Sequence, residues 1–382
     1  MVSRKINLCF VFPEEKSWTG GVNYYVALIS SLTSLKKKNF NFIIFCSSKD
    51  KIYLSRYINK KNIIASNFFD NKSIFGFFRR LLKIIFQEDV ILNFFIKINN
   101  INVISHHDPN KKIASICWIP DLQHKFLKYL FTKKEIKKRE NLFKNYIKKA
   151  TCIIVSSQDA YNGLMKYFNN RKNIYHILRF VPKIDFKLIK KLNFLEMKYK
   201  LNKKFIYIPN QFWRHKNHSI LIKCAMLLKK KNYYVQFVIS GNPSNGQNNE
   251  VYNNFVNNIN KYQLNNYFIL LGFIPYSEVI NLIYHSQMLI NPSLFEGWST
   301  AVEEAKIFKK KMILSNLNVH KEQCQNNALY FHPKNHLELS NNITEILELK
   351  KNYYSIKKIK KNYEKSRILF AKKYLKIVES VL

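Results

Sequence analysis

From residue 205 onward the sequence alternates short apolar runs with longer stretches of helical periodicity, and few folds accept that pattern. Residues 205–208 precede a helical stretch at 217–230, and 235–240 precede 249–262. Residues 268–271 precede 277–285, 288–291 precede 301–309, and another apolar run, 312–315, follows. Runs this short suit strands buried on both faces, and the helices between them supply the crossovers that parallel strands need. The expectation is an α/β fold of right-handed βαβ units wound around a parallel sheet.

The first half repeats the pattern less cleanly. Strands are expected at 6–12, 42–46, 102–105, 116–119, 151–155 and 174–178, with a helix at 22–35, whereas 51–100 is ambiguous. A Lys-rich stretch at 182–204 lacks a clear sheet element and marks the joint. The expected organisation is an N-terminal domain at 1–190, a C-terminal domain at 191–352, and a basic helical segment at 353–382 that packs back on the first domain. Two doubly wound domains facing each other would place a ligand outside the carboxyl ends of their strands.

Charge bounds the partners. Lys and Arg number 64 against 24 Asp and Glu, a formal +40, which draws nucleic acid, anionic lipid or phosphorylated ligands. Lys, Asn, Ile, Tyr and Phe are abundant together, as A+T-rich codons favour, so much of the excess reads as solvated surface. A hydrophobic fraction of 47% is enough for a full core and excludes a disordered chain. Every Asp lies at or before Asp185, so any Asp-dependent chemistry belongs to the first half. Cys9, Cys46, Cys117, Cys152, Cys224 and Cys324 form no CxxC pair and read as reduced core residues, which points to a cytoplasmic protein. A signal peptide is not expected, and no apolar run approaches the ~20 residues of a membrane span.

Three strand-to-helix loops carry chemistry. Gly20 and Gly21 lie between the first strand and first helix, where backbone can approach an anion; a plain tight turn is the more common meaning of such a pair. Neither GxGxxG nor GxxxxGK[ST] is present. A second loop, 210–218, carries Arg214 and Lys216 at a helix start, suited to a diphosphate. A third runs Asn291-Pro292-Ser293-Leu294-Phe295-Glu296-Gly297-Trp298-Ser299-Thr300. Thr300 and Glu303 fit a capping box, so a helix is expected from Ala301. Glu296 and Glu304 bracket that start, and carboxylates suit sugar and ribose hydroxyls.

These residues resemble the retaining nucleotide-sugar glycosyltransferases of family 4, which have the GT-B fold. Glu296-x7-Glu304 has the spacing of that family's E-x7-E motif. The run Asn210–His218 is similar to its donor loop in bacterial polysaccharide and O-antigen assembly members. Trp118-Ile119-Pro120-Asp121-Leu122-Gln123-His124 and Leu271-Gly272-Phe273-Ile274-Pro275 are also similar.

The resemblance implies a hexosyltransferase that moves a hexose, mannose-like being one expectation, from a UDP- or GDP-linked donor to a glycan or lipid-linked glycan in cell-surface polysaccharide or lipopolysaccharide synthesis. Transfer would retain anomeric configuration without a cofactor or metal. Lys216 would pair with the diphosphate and Glu304 with the ribose. Glu296 would sit against the hexose, and the backbone of Gly297, Trp298, Ser299 and Thr300 would bond it or the phosphate. Gly20 and Gly21 would close over the diphosphate, and Phe273 and Ile274 would border the base. The sequence departs from the family twice. Gln211 stands where many members have Arg, leaving Arg214 to supply that charge, and Pro120 stands where His often precedes the Asp matching Asp121, leaving His124 near the hexose.

No Asp-x-Asp is present, and His332/His336 and His320/Cys324 lack the further ligands a metal needs. A nucleic-acid binder, an epimerase on the same scaffold and an inactive homologue remain alternatives, although no nucleic-acid-binding motif is present. Lys36-Lys37-Lys38 and Arg79-Arg80, beside aromatics 75–78, suggest a peripheral protein on the anionic cytoplasmic membrane face. Glu296→Ala and Lys216→Ala are expected to abolish most transfer, and Glu303→Ala to cost only helix capping.

Overall fold

The computed structural model describes residues 5–13, 19–35, 37, 39–168, 174–202, 204–243, 249–349 and 354–382. The chain divides into two compact units. The first holds the described residues of Met1–Lys125, Phe131–Lys183 and Glu364–Leu382; the second holds those of Phe126–Leu130 and Ile184–Tyr363.

The first unit is built on a parallel sheet of seven strands. They are β1 (Ile6–Val11), β2 (Phe40–Cys46), β3 (Ile63–Ala65), β4 (Val103–Ser105), β5 (Ala114–Ile119), β6 (Cys152–Val155) and β7 (Ile174–Ile177). The second unit has six: β8 (Phe205–Pro209), β9 (Gln236–Ser240), β10 (Phe268–Leu270), β11 (Met288–Asn291), β12 (Lys311–Ser315) and β13 (Leu329–Phe331). The spatial orders are β3-β2-β1-β4-β5-β6-β7 and β10-β9-β8-β11-β12-β13. Each sheet is wound outward in both directions, so strand order reverses between β1 and β4 and again between β8 and β11. At such switch points the flanking crossovers leave on opposite faces and a crevice opens at the strand ends.

The expected doubly wound α/β fold is therefore present in both units. Burial explains it. Ile206, Ile208, Phe237, Ile239, Met288 and Ile290 alternate along β8, β9 and β11 and form one cluster with Leu221, Cys224 and Leu228 of helix Ser219–Lys230. Two strands escaped the sequence reading. β3 and β13 have three residues each, too short to show periodicity, and both are sheet edges. The first helix also starts earlier than expected, at Thr19, so Gly20 and Gly21 form its first turn rather than the end of a loop. All six cysteines are free and buried.

The C-terminal helix, Ile356–Glu379, covers part of the first unit with its last turns. Tyr374 is fully buried there and its hydroxyl donates to Ser105 Oγ at 2.5 Å, at the end of β4. Ser105 Oγ also meets His106 Nδ1 at 2.7 Å, and Arg367 reaches Ser31 Oγ at 3.3 Å. Removing one partner of a buried hydrogen bond costs about 1–3 kcal/mol. Tyr374→Phe should lower the unfolding free energy by that amount, seen as a lower urea midpoint with an unchanged m-value and helical content. An unchanged midpoint would show that the hydroxyl does not hold the helix.

Candidate active site

The second unit's switch point gathers the predicted chemistry. Asn210 follows β8 and Asn291 ends β11, and the two amides meet at 3.3 Å. The loop after β8 passes through a 3-10 turn at Arg214–Lys216 and leaves it at Asn217 with φ 56°, a left-handed conformation Asn tolerates. Asn217 Nδ2 donates to Pro292 O at 3.0 Å and Pro333 O at 2.8 Å, and Leu294 N–H donates to His215 O at 2.7 Å. These bonds tie the two loops together and aim Lys216 at Glu296.

Lys216 Nζ lies 2.6 Å from Glu296 Oε1, with both side chains largely buried. Asn291 Nδ2 donates to the same oxygen at 3.2 Å, and Ser293 Oγ lies 2.7 Å from it. Every hydrogen bond to Glu296 among the described residues falls on Oε1, which leaves Oε2 for a ligand. Burial alone would raise the Glu296 pKa. The Lys216 ammonium, with His320 and His215 nearby and the direct hydrogen bond, instead holds it down to about 2. Glu296 is thus a fixed anion beside a fixed cation.

Glu304 is different. It is buried in helix Thr300–Ile307, and Tyr276 Oη donates to its Oε1 at 2.6 Å. Burial raises its pKa to about 7, although the tyrosine hydrogen bond pulls the other way.

The helix start corrects one expectation. Thr300 and Glu303 form no capping box; Ser299 is the N-cap residue and makes no side-chain cap bond. Gln323 does the capping instead. Its Oε1 accepts from Ser299 N–H at 3.2 Å, and its Nε2 donates to Ser299 O at 3.1 Å and Glu303 Oε1 at 3.1 Å. Ser299 N–H is therefore used by Gln323, whereas no hydrogen bond among the described residues takes the N–H of Trp298 or Thr300. Glu303 is buried and also bonds Lys306 at 2.9 Å, so its loss removes more than a cap.

Other predicted residues divide by place. Gln211 Oε1 accepts from Asn242 N–H at 2.7 Å, next to Gly241. A Cβ on Gly241 would fall 2.3 Å from Asn210 O, so only glycine lets these loops meet. Arg214 is half-exposed and paired with Glu250 at 2.9 Å. Phe273 is exposed and Ile274 buried after β10, at the same end of the sheet. Gly297 and Trp298 are half-buried in the loop after β11. The remaining four belong to the first unit. Gly20 is exposed and Gly21 buried in the first helical turn. Asp121 Oδ1 accepts from Gln123 N–H at 2.9 Å and lies 3.5 Å from Arg139. His124 is fully buried edge-on to Phe143, both ring nitrogens are without partners among the described residues, and burial pushes its pKa down to about 4. Its ring packs as core, not as an open polar group.

Asn291, Ser293, Tyr276 and Gln323 were missed. Asn291 and Ser293 stood inside the third loop, where polar residues at a strand end were the available signal. Tyr276 and Gln323 come from other loops and helices and carry none.

Residues 190–364 match the model of the family Glycosyl transferases group 1. The sequence matches no curated protein. Among solved structures, a glycosyltransferase from Rickettsia africae is similar over 99% of this chain and 98% of its own, at 18% identity and TM-score 0.67. Anabaena HepE in complex with UDP and glucose is similar over 98% and 100%, at 13% identity and TM-score 0.69. Sucrose-phosphate synthase from Thermosynechococcus elongatus is similar over 96% and 94%, at 13% identity and TM-score 0.67. At these identities the likeness establishes a shared fold, GT-B, and with the family match it supports a glycosyltransferase.

Two predictions follow from the carboxylates. Lys216→Met strands a buried anion and should cost about 3–5 kcal/mol in urea unfolding, most of which Lys216→Met/Glu296→Gln should recover. Equal losses in both variants would show that the pair is not coupled. Glu304 keeps its proton in the folded state between its ordinary 4.5 and about 7, so its stabilising protonation is lost as pH rises through about 7. Glu304→Gln should therefore match wild-type thermal stability below pH 4.5 and exceed it increasingly up to about pH 7. A pH-independent difference would place the charge elsewhere.

Proposed function

We propose that this chain is a retaining hexosyltransferase that takes a hexose from a UDP- or GDP-linked donor. The Lys216–Glu296 pair, set beside a helix start where the strand order reverses, carries the reading. Cleavage of a sugar–phosphate bond builds positive charge at the anomeric carbon and negative charge on the departing diphosphate. The Lys216 ammonium and the N–H groups of Trp298 and Thr300 stabilise the diphosphate, and they do so before the reaction begins. Glu296 presents Oε2 to the hexose hydroxyls and its charge favours the cationic carbon. Glu304, ionised on binding, accepts the ribose hydroxyls, with Tyr276 holding its second oxygen. Phe273 and Ile274 border the base, Gln211 shapes the loop through Asn242, and Arg214 joins the diphosphate by leaving Glu250. Gly20 and Gly21 serve the diphosphate, and Asp121 and His124 the hexose.

The acceptor in this reading is a glycan or lipid-linked glycan of cell-surface polysaccharide synthesis, met at the cytoplasmic membrane face, and no metal or cofactor takes part. The named partners of two structural relatives, UDP and glucose for HepE and the sucrose-phosphate synthase activity, fit a nucleotide-sugar donor.

A thermal-shift panel of nucleotide sugars tests the donor. A ligand at a hundred times its Kd stabilises by about 2.7 kcal/mol, a shift of several degrees. UDP- or GDP-hexose should produce it in the wild type and to a smaller extent in Arg214→Gln, and Lys216→Met should abolish it. No response to either nucleotide, with salt-sensitive retention on single-stranded DNA, would favour a nucleic-acid binder instead.

A further inference from the structure

Helix Ile74–Ile85 in the first unit is turned inside out for a protein in water. Ile74, Phe77, Phe78, Leu81 and Ile84 recur at helical spacing and form one stripe, and all are exposed, Ile74 at 78% and Ile84 at 75%. Two of its three cations, Arg79 and Lys83, pair with carboxylates of the same unit, and Arg80 is exposed. Arg79 is nearly buried, with Nη2 2.7 Å from Asp89 Oδ2 and Nε 3.0 Å from Oδ1, and its guanidinium lies 4.7 Å from the Phe69 ring centroid. Lys83 Nζ donates to Asp108 at 2.7 Å.

Several contacts hold this rotation. Ser73 Oγ caps Gly76 N–H at 2.9 Å. A Cβ on Gly76 would lie 1.9 Å from Asp70 O, so the inner face is pressed against backbone. Arg80 reaches Asn71 O at 2.7 Å. The following helix, Val90–Ile98, capped by Asp89, adds exposed Phe94 and Ile98. Contiguous apolar surface of this kind on a folded protein marks an interaction site.

We propose that this helix pair seats the chain on an anionic bilayer, with the stripe inserted among the acyl chains near the headgroups. A helix of 12 residues is about 18 Å long, enough to lie in the interface. No helix among the described residues is long and apolar enough to cross a membrane. Charge selects the occupant. Lys72, Arg80 and Lys97 are exposed beside the stripe, and the chain carries +40. A second copy brings the same charge and is repelled, whereas anionic headgroups are attracted. The inference deepens the membrane part of the function proposed above by naming its surface and its mode: apolar insertion steered by charge. Of Lys36-Lys37-Lys38, Lys37 is exposed, and Lys36 and Lys38 lie outside the described residues.

Co-sedimentation of the full chain with phosphatidylcholine vesicles, with and without phosphatidylglycerol, tests it in the absence of nucleotide. Wild type should bind the anionic vesicles and keep part of that binding at high salt. Phe77→Asp/Leu81→Asp should bind roughly tenfold or more weakly, with unchanged circular dichroism and an unchanged thermal shift on a nucleotide sugar. Wild-type failure to sediment, equal binding by the variant, or a wild-type dimer in ultracentrifugation that the variant abolishes would each overturn the proposal. A lost nucleotide shift with vesicle binding intact would instead overturn the donor reading alone.

Discussion

A buried ion pair organises the second unit's working end. Lys216 and Glu296 are each costly to bury alone, and each is tolerated because the other lies 2.6 Å away. Their placement depends on topology. β8 and β11 are neighbours in the sheet but far apart in sequence, and only the reversal of strand order brings the loops that follow them together. Asn210, Asn217 and Asn291 then convert that proximity into fixed geometry through amide hydrogen bonds.

Two carboxylates in one short segment are thus tuned in opposite directions. Glu296 faces the Lys216 ammonium, the Asn291 amide and the Ser293 hydroxyl and stays ionised, whereas Glu304 faces a tyrosine hydroxyl in a buried setting and holds its proton near neutrality. The difference arises from what each side chain touches, since both begin from the same ordinary value. A site with a permanent anion beside a cation and a second carboxylate that titrates near neutrality suits a ligand with both sugar hydroxyls and phosphate.

Much of this was legible in the sequence. Buried parallel strands such as Ile206–Ile208 and Met288–Asn291 show as apolar runs because both faces are covered, and the loops after them stand out by contrast. Lys216, Glu296 and Glu304 could be picked from spacing. The capping of helix Thr300–Ile307 could not. Thr300 and Glu303 have the right pattern, but Gln323, distant in sequence, takes the N-cap bonds, and local rules do not see such a partner. Nor does sequence position show that His124 is buried edge-on to Phe143. Aromatics 75–78 beside Arg79-Arg80 already suggested an outward patch, but not that Arg79 turns inward onto Asp89, because hydrophobic periodicity reveals that a helix has two faces but not which one the fold turns inward.

The most direct measurement is a structure of the full chain with UDP or GDP bound. The diphosphate should lie within hydrogen-bonding distance of Lys216 Nζ, at the carboxyl ends of β8 and β11, with the ribose on Glu304. A nucleotide bound elsewhere, with Lys216 and Glu296 still closed on each other and no ligand atom near either, would contradict it.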